Sequence, residues 1–169
     1  MTMRKRALPR GWYPGTADEC NKEIDVFLQG FTPPEGTWHG AVVPHAGWYF
    51  SGKAAAKAIS TVAASGAVDR VVLYGGHLSG TSEPIVYTEE WWETPLSPQP
   101  MDARLAAQLV TGGKAVAASR MFSDNTVEIL LPLIRRFFPD TPLLAVHAPS
   151  SMNAVSLAKA VSELLTAHG

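Results

Sequence analysis

Apolar runs rich in β-branched residues alternate with segments of helical periodicity along most of this chain. Strands are predicted at residues 41–44, 70–75, 84–88, 114–118 and 142–146, and helices at residues 16–30, 51–65, 102–110, 124–138 and 153–167. This alternation predicts an α/β fold in which helices flank a mostly parallel central sheet. The length of 169 residues is that of one ordinary domain, so we expect a single α/β domain over residues 1–169.

Local signals constrain several of these elements. Thr16-Ala-Asp-Glu19 is a capping box that starts the first helix. Cys20 lies on the apolar stripe of that helix, which predicts a buried and unreactive thiol. Pro132 falls inside the fourth predicted helix and must bend or divide it. The stretch Trp91–Pro100 contains three prolines, so we expect an irregular segment there.

Composition excludes several classes of partner. The formal net charge is -1, which leaves no electrostatic footprint for nucleic acid or an anionic membrane. No apolar run approaches the roughly 20 residues that cross a bilayer, so no membrane span is predicted.

The basic start Met1–Arg6 is followed by Pro9 rather than by an uninterrupted apolar stretch, which predicts a cytoplasmic protein. A single cysteine excludes an internal disulfide and a multi-thiolate zinc site.

Three of the five histidines follow predicted strands directly. They are His45, His77 and His147, and the carboxyl ends of parallel strands share one edge of a sheet, so the three imidazoles can converge there. Imidazoles with a carboxylate suit iron, copper or zinc. The alternative is that each histidine only caps a strand or helix end. His39 and His168 lack this context and are predicted to lie at the surface.

Glycines and aromatic residues accompany these histidines. Gly47, Gly75 and Gly76 remove side-chain bulk beside His45 and His77, as the close approach of backbone to a ligand requires. Aromatic residues cluster at positions 12–13, 48–50 and 91–92. Because Trp48 and Tyr49 follow His45 closely, we expect at least one of them to form a wall of the site.

Acidic residues supply the remaining candidates. Asp124 lies at a strand-to-helix junction and is expected to face the crevice. Glu128 stands three residues after Asn125, a capping-box spacing, so helix capping and a role in the site are both open. Asp102 is predicted to cap a helix. The chain has no GxGxxG, GxxxxGK[ST], GxSxG or HExxH motif, which removes support for nucleotide-binding, esterase and zincin functions.

The sequence around these residues resembles the Memo-like family, known in bacteria as AmmeMemoRadiSam system protein B. Val43-Pro-His-Ala-Gly-Trp-Tyr-Phe-Ser-Gly52 is similar to the family signature VPHAGYxYSG, and Val71-Val-Leu-Tyr-Gly-Gly-His77 resembles its strand ending in GPSHH. Arg10-Gly-Trp-Tyr-Pro14, Glu93-Thr-Pro-Leu96 with Asp102, and Asp124–Pro132 resemble further motifs in the same order.

The resemblance implies a fold shared with the LigB-type extradiol dioxygenases and a redox-capable iron or copper site built from His45 and His77. This sequence departs from the family in three respects. It has one histidine at His77 where the family has two, and Asn125 stands where the family has a histidine. The C-terminal family segment that carries a cysteine ligand has no counterpart here, and its role does not transfer to Cys20.

These observations predict a metal-binding Memo/LigB-like protein, an oxidoreductase that acts on an unknown small molecule, with Fe(II) as the first expectation and Cu or Zn as alternatives. Asp124 or Glu128 would complete or orient the metal shell, and His147 would be a third ligand, a supporting residue or only a helix cap. The alternatives are a non-catalytic module that binds a peptide or small ligand, and a structural protein with a vestigial histidine cluster. The family name implies a radical-SAM partner, and exposed tryptophans at positions 91 and 92 suggest a homodimer.

Overall fold

The computed structural model describes residues 1–167, so the prediction for His168 lies outside the described residues. The fold is α/β, as the alternating pattern predicts. The strands are β1 (Met3–Arg4), β2 (Val71–Gly75), β3 (Ile85–Val86), β4 (Trp91–Trp92), β5 (Gln99–Pro100), β6 (Val116–Ala117) and β7 (Leu143–His147). The helices are α1 (Ala17–Leu28), α2 (Trp48–Ala63), α3 (Ala103–Thr111), α4 (Asn125–Glu128), α5 (Leu131–Phe137) and α6 (Met152–Ala167).

A four-stranded sheet in the order β2-β7-β3-β6 organises the molecule. β2 runs parallel to β7, and β3 is antiparallel to β7 and parallel to β6, so the sheet is mostly parallel. All five residues of β7 are buried. Because side chains alternate along a strand, Leu143 and Ala145 contact one hydrophobic cluster while Leu144 and Val146 contact another. His147 therefore faces the same side as Leu143 and Ala145.

Helices cover the two faces of this sheet. The cluster on the His147 side includes α1, α2 and α5, and the cluster on the opposite side includes α3 and α6. The caps follow the sequence signals, since Thr16 accepts a hydrogen bond from the Glu19 backbone N–H and Asp102 accepts one from Leu105. Cys20 is fully buried, as predicted. Pro132 divides the fourth predicted helix into α4 and α5 because proline is tolerated only in a first helical turn.

Residues 41–44 do not form a strand, so that prediction is wrong. These residues run without a strand partner, Val42 is fully exposed, and Pro44 has no backbone N–H to contribute to a sheet. The following helix begins at Trp48 instead of Ser51. Gly47 is its N-cap, the Trp48 N–H donates to the Trp12 carbonyl at 2.8 Å, and the Ser51 hydroxyl donates to the Ala46 carbonyl at 2.8 Å.

The proline-containing stretch from Trp91 to Pro100 is also more regular than expected. Trp91 and Trp92 form β4, which pairs with β1 on one side and β5 on the other in a separate three-stranded sheet. Pro100 lies in the outer strand β5, where a missing N–H is tolerated. Trp92 is only 2% exposed and its ring lies 4.4 Å from that of Tyr87. The expected pair of exposed tryptophans is therefore wrong. No helix within the described residues has the length and apolar character to cross a membrane.

Gly75 ends β2 and Gly76 follows it, at a point where two other segments come close. A Cβ at Gly75 would overlap the Thr126 hydroxyl and lie 3.0 Å from Val127, and a Cβ at Gly76 would lie 2.7 Å from the Ala148 carbonyl oxygen. Gly76 also has a φ of 150°, which side-chain-bearing residues rarely adopt. Protein neighbours, rather than a ligand, therefore explain both glycines.

We predict that Gly75→Ala lowers the free energy of unfolding by about 1–3 kcal/mol, the usual cost of overpacking a close contact. The added methyl group must displace Thr126, whose hydroxyl accepts a hydrogen bond from the Gly76 N–H at 2.9 Å. Urea unfolding of the purified chain measures the loss. Gly40→Ala is the matched control because a Cβ there meets nothing within 4 Å, and equal stability of the two variants would contradict the packing argument.

Candidate metal centre

His45 and His77 lie side by side at one end of the sheet. Their ring centroids are 5.2 Å apart with an angle of 67° between the ring planes, and both side chains are exposed. His77 follows β2, and His45 lies in the loop before α2. The Asn125 side-chain amide donates to the His45 carbonyl at 2.8 Å, so α4 fixes the backbone that carries one of the two imidazoles.

Asp124 orients His77. Its Oδ2 lies 3.0 Å from His77 Nδ1, and its Oδ1 accepts hydrogen bonds from the Thr126 backbone N–H at 2.7 Å and from the Thr126 hydroxyl. Burial alone would raise the pKa of Asp124, but the hydrogen bonds from Thr126 and the nearby histidines outweigh it and hold that pKa below its ordinary value. An ionised carboxylate only accepts hydrogen bonds, so His77 Nδ1 carries a proton, and in the neutral imidazole Nε2 then has the free lone pair.

His147 lies behind Asp124, not beside the two exposed histidines. It is fully buried, its Nδ1 is 3.8 Å from Asp124 Oδ1, and its Nε2 is 2.7 Å from the Tyr87 hydroxyl. Desolvation by burial, opposed by the Asp124 carboxylate, lowers the pKa of His147 to about 4. His147 is therefore neutral near pH 7, and both of its ring nitrogens face groups other than His45 and His77.

The environment of His147 also indicates its tautomer. A lone pair on Nδ1 would face the negative Asp124 oxygen, so the proton is favoured on Nδ1. Nε2 then accepts the hydrogen bond from the Tyr87 hydroxyl, whose pKa is raised chiefly by desolvation on burial. The Phe122 ring packs edge-on at 5.0 Å from the imidazole, and Arg4 lies 4.5 Å from the Tyr87 ring centre. These contacts hold the imidazole in one orientation.

Glu128 is turned away from the histidine pair. Its buried carboxylate accepts hydrogen bonds from the backbone N–H groups of Ala7 and Leu8, each at 2.9 Å to the nearer oxygen, and from the Tyr13 hydroxyl at 3.0 Å. Glu128 therefore neither joins Asp124 at the histidines nor caps a helix. It fixes the N-terminal segment against α4.

An open cleft of about 620 Å³ surrounds the histidine pair. Its lining includes Arg10, Trp12, Phe50 and Asn125 in addition to His45 and His77. Trp48 is buried and donates its indole N–H to the Ile129 carbonyl at 3.0 Å, and Tyr49 lines a neighbouring cleft. The aromatic wall expected from Trp48 or Tyr49 is thus supplied by Phe50 and Trp12.

The two exposed imidazoles fit a shared metal ion in part. Two imidazoles bound tetrahedrally at about 2.1 Å would have ring centroids roughly 5 Å apart, close to the 5.2 Å found between His45 and His77. His77 contacts Asp124 through Nδ1 and leaves Nε2 available. This arrangement matches the usual pairing of a carboxylate with a metal-binding histidine. Within residues 1–167, however, no group of three or more His, Cys, Asp and Glu side chains converges on one point.

Three contributors to this region, Tyr87, Asn125 and Thr126, were not predicted as parts of the site. Tyr87 lies in a weakly predicted strand, and nothing in its sequence context indicates a partner 60 residues away. Thr126 and Asn125 directly follow Asp124, so an Asp-Asn-Thr turn at a helix start was the available signal. The short helix α4 and its N-cap bring Asp124, Asn125 and Thr126 to the end of β2, with Thr126 at the Gly76 N–H.

We predict that His147 makes the folded state less stable as the pH falls from about 6.5 to about 4. Its folded pKa of about 4 lies below the ordinary value of about 6.5, so across this interval the unfolded chain binds a proton that the folded chain does not. This group alone gives a slope of about 1.4 kcal/mol per pH unit. Its contribution is complete above pH 6.5.

Urea unfolding at a series of pH values measures this slope, with His147→Gln as the reference. The slope should shrink in the variant, and an unchanged slope would show that His147 titrates normally. The pKa of Asp124 is lowered from its ordinary value of 3.8. Its effect on the free energy of unfolding therefore occurs at lower pH than the interval used for His147.

Comparison with known proteins places the chain in a family. A sequence model described as Memo-like protein matches residues 4–167. A MEMO1 family protein of Methanosarcina acetivorans is 29% identical over 174 residues, which cover 100% of this chain and 63% of that protein. A MEMO1 family protein of Aquifex aeolicus is 31% identical over 81% of this chain and 51% of its own length. The chain thus spans less than two thirds of the length of these relatives. Because the family model matches nearly all of the chain, the chain belongs to the Memo-like family.

Proposed function

We propose that this Memo-like chain binds a divalent transition-metal ion through His45 and His77. The observation that carries the proposal is the contact of 3.0 Å between His77 Nδ1 and Asp124 Oδ2, beside a second exposed imidazole at 5.2 Å. A carboxylate that holds Nδ1 leaves Nε2 as the ligand nitrogen and makes it more basic. Imidazole nitrogen favours Fe(II), Cu and Zn over Mg, and we place Fe(II) first.

Each residue near the pair has a distinct role in this proposal. Asp124 orients His77, and the buried His147 supports Asp124 from behind at 3.8 Å. Bound iron or copper would supply redox chemistry and would polarise an oxygen-containing ligand. The walls of Trp12 and Phe50 would exclude water from one side of a small molecule in the cleft. The proposed activity is that of an oxidoreductase acting on a small molecule.

The cellular setting is part of the same proposal. We place the protein in the cytoplasm, and the formal charge of -1 supports action on a small molecule and not on nucleic acid. The resemblance to the bacterial system protein supports a radical-SAM enzyme as a functional partner. Co-purification of the tagged chain from native cells would test that association, and a homodimer is tested by light scattering of the pure protein.

A non-catalytic ligand-binding module is the second candidate function. It is favoured by the finding that two histidines, without a third converging ligand in residues 1–167, face the cleft. Oxygen consumption after loading with Fe(II) or Cu distinguishes the two, because a binding module would take up the ligand without consuming oxygen. A protein that binds neither metal nor ligand would leave only a structural role.

We predict that His45→Ala and His77→Ala abolish stoichiometric uptake of Fe(II), measured anaerobically by calorimetry and by metal analysis after gel filtration. Asp124→Asn should weaken affinity by about 10- to 100-fold, because it removes the charge that orients His77. His39→Ala is the matched control, since His39 is an exposed histidine outside the cleft that contains the pair.

Circular dichroism and urea unfolding must show that these variants keep their fold. Both histidines are exposed, so their replacement removes little packing. Uptake that survives both alanine substitutions, or that falls equally in His39→Ala, would contradict the proposed site.

A further inference from the structure

Arg10 is an unpartnered cation on the wall of the histidine cleft. It lines the same cleft as His45 and His77, and its side chain is exposed. Within residues 1–167, no carboxylate, carbonyl or aromatic ring engages its guanidinium. Other arginines near the N-terminus are paired, since Arg4 binds Glu89 at 3.0 Å and Arg6 approaches the Gly15 carbonyl at 3.5 Å.

The rest of the lining is apolar or neutral apart from the two imidazoles. It contains no carboxylate, and Phe50 is 82% exposed beside Trp12. The N-cap Gly47 and Phe50, the third residue of α2, also line the cleft, and Gly47 has no side chain that could accept a hydrogen bond from the helix. The partial positive charge of this helix start adds to that of Arg10. Arg10 also borders the adjoining cleft, which differs because Glu19, Glu23 and Glu93 line it.

We infer that the cleft takes a small organic carboxylate with a flat apolar body. The carboxylate would bind the guanidinium of Arg10, whose planar fork matches two carboxylate oxygens. The apolar body would lie against Phe50 and Trp12, with its far end towards His45 and His77. One formal cation in the lining matches one negative charge and favours a carboxylate over a phosphate dianion. The inference rests on the proposed function for the identity of the cleft, and it names the ligand class.

The test uses the full chain without metal and compares benzoate with its neutral isostere benzamide. Affinities come from NMR titration of the 15N-labelled protein, followed at the backbone amides of Gly11, Trp12 and Gly47. The wild type should bind benzoate about fivefold more tightly than benzamide, as a partly exposed ion pair allows. The ratio should fall to about one in Arg10→Gln. Arg10→Lys, which keeps the charge without the planar fork, should retain part of it.

Arg6→Gln is the matched control, because Arg6 lines only the neighbouring cleft. It should keep the wild-type ratio. The inference is overturned if wild type binds benzoate and benzamide equally, if the ratio survives in Arg10→Gln, or if Arg6→Gln loses it equally. Tighter binding of phenyl phosphate than of benzoate would overturn the carboxylate assignment. Because no metal is present in these titrations, their failure is distinct from a failure of His45 and His77 to bind metal.

Discussion

The carboxylate of Asp124 joins the stability of the fold to the geometry of the site. One oxygen caps α4 through the backbone N–H of Thr126, and the other lies 3.0 Å from His77 Nδ1. Thr126 in turn accepts a hydrogen bond from the N–H of Gly76, the residue before His77. The same helix start therefore holds both the backbone and the ring of His77. A residue that satisfies a helix terminus and orients an imidazole has few tolerable replacements, since neither asparagine nor glutamate keeps both the charge and the geometry.

Burial separates the three histidines into two chemical types. His147 ends the fully buried strand β7, and its lowered pKa keeps it neutral. His45 and His77 stand at the solvent-facing end of the same region. A neutral, hydrogen-bonded imidazole behind Asp124 removes water from that side of the carboxylate without introducing a second charge. The low dielectric on that side strengthens the contact between Asp124 and His77 relative to the same contact in water.

Local sequence patterns correctly predicted the features of the fold that depend on neighbouring residues. Alternating apolar runs predicted the α/β fold, the capping box at Thr16 predicted the start of α1, and Pro132 predicted the division of a helix. Long-range contacts were not encoded in any local pattern. The segment 41–44 has strand-like composition but no neighbouring strand, and Gly75 is required by the approach of Thr126 from 51 positions along the chain. At the site, His45 and His77 do meet as predicted, but only His77 follows a strand, because residues 41–44 form none. The Tyr87 partner of His147 depends on tertiary packing alone.

Glu128 shows how a residue outside the histidine pair can still determine the cleft. Its carboxylate accepts hydrogen bonds from Ala7, Leu8 and Tyr13, which bracket the segment that carries Arg10 and Trp12. That segment forms one wall of the cleft, and the Trp12 carbonyl accepts the first backbone N–H of α2. The N-terminal wall and α4 are therefore joined by a buried negative charge that needs all its donors. Because Asp124 and Glu128 begin and end the same short turn of helix, the histidine geometry and the opposite wall are positioned by one element, and a shift of α4 would move both.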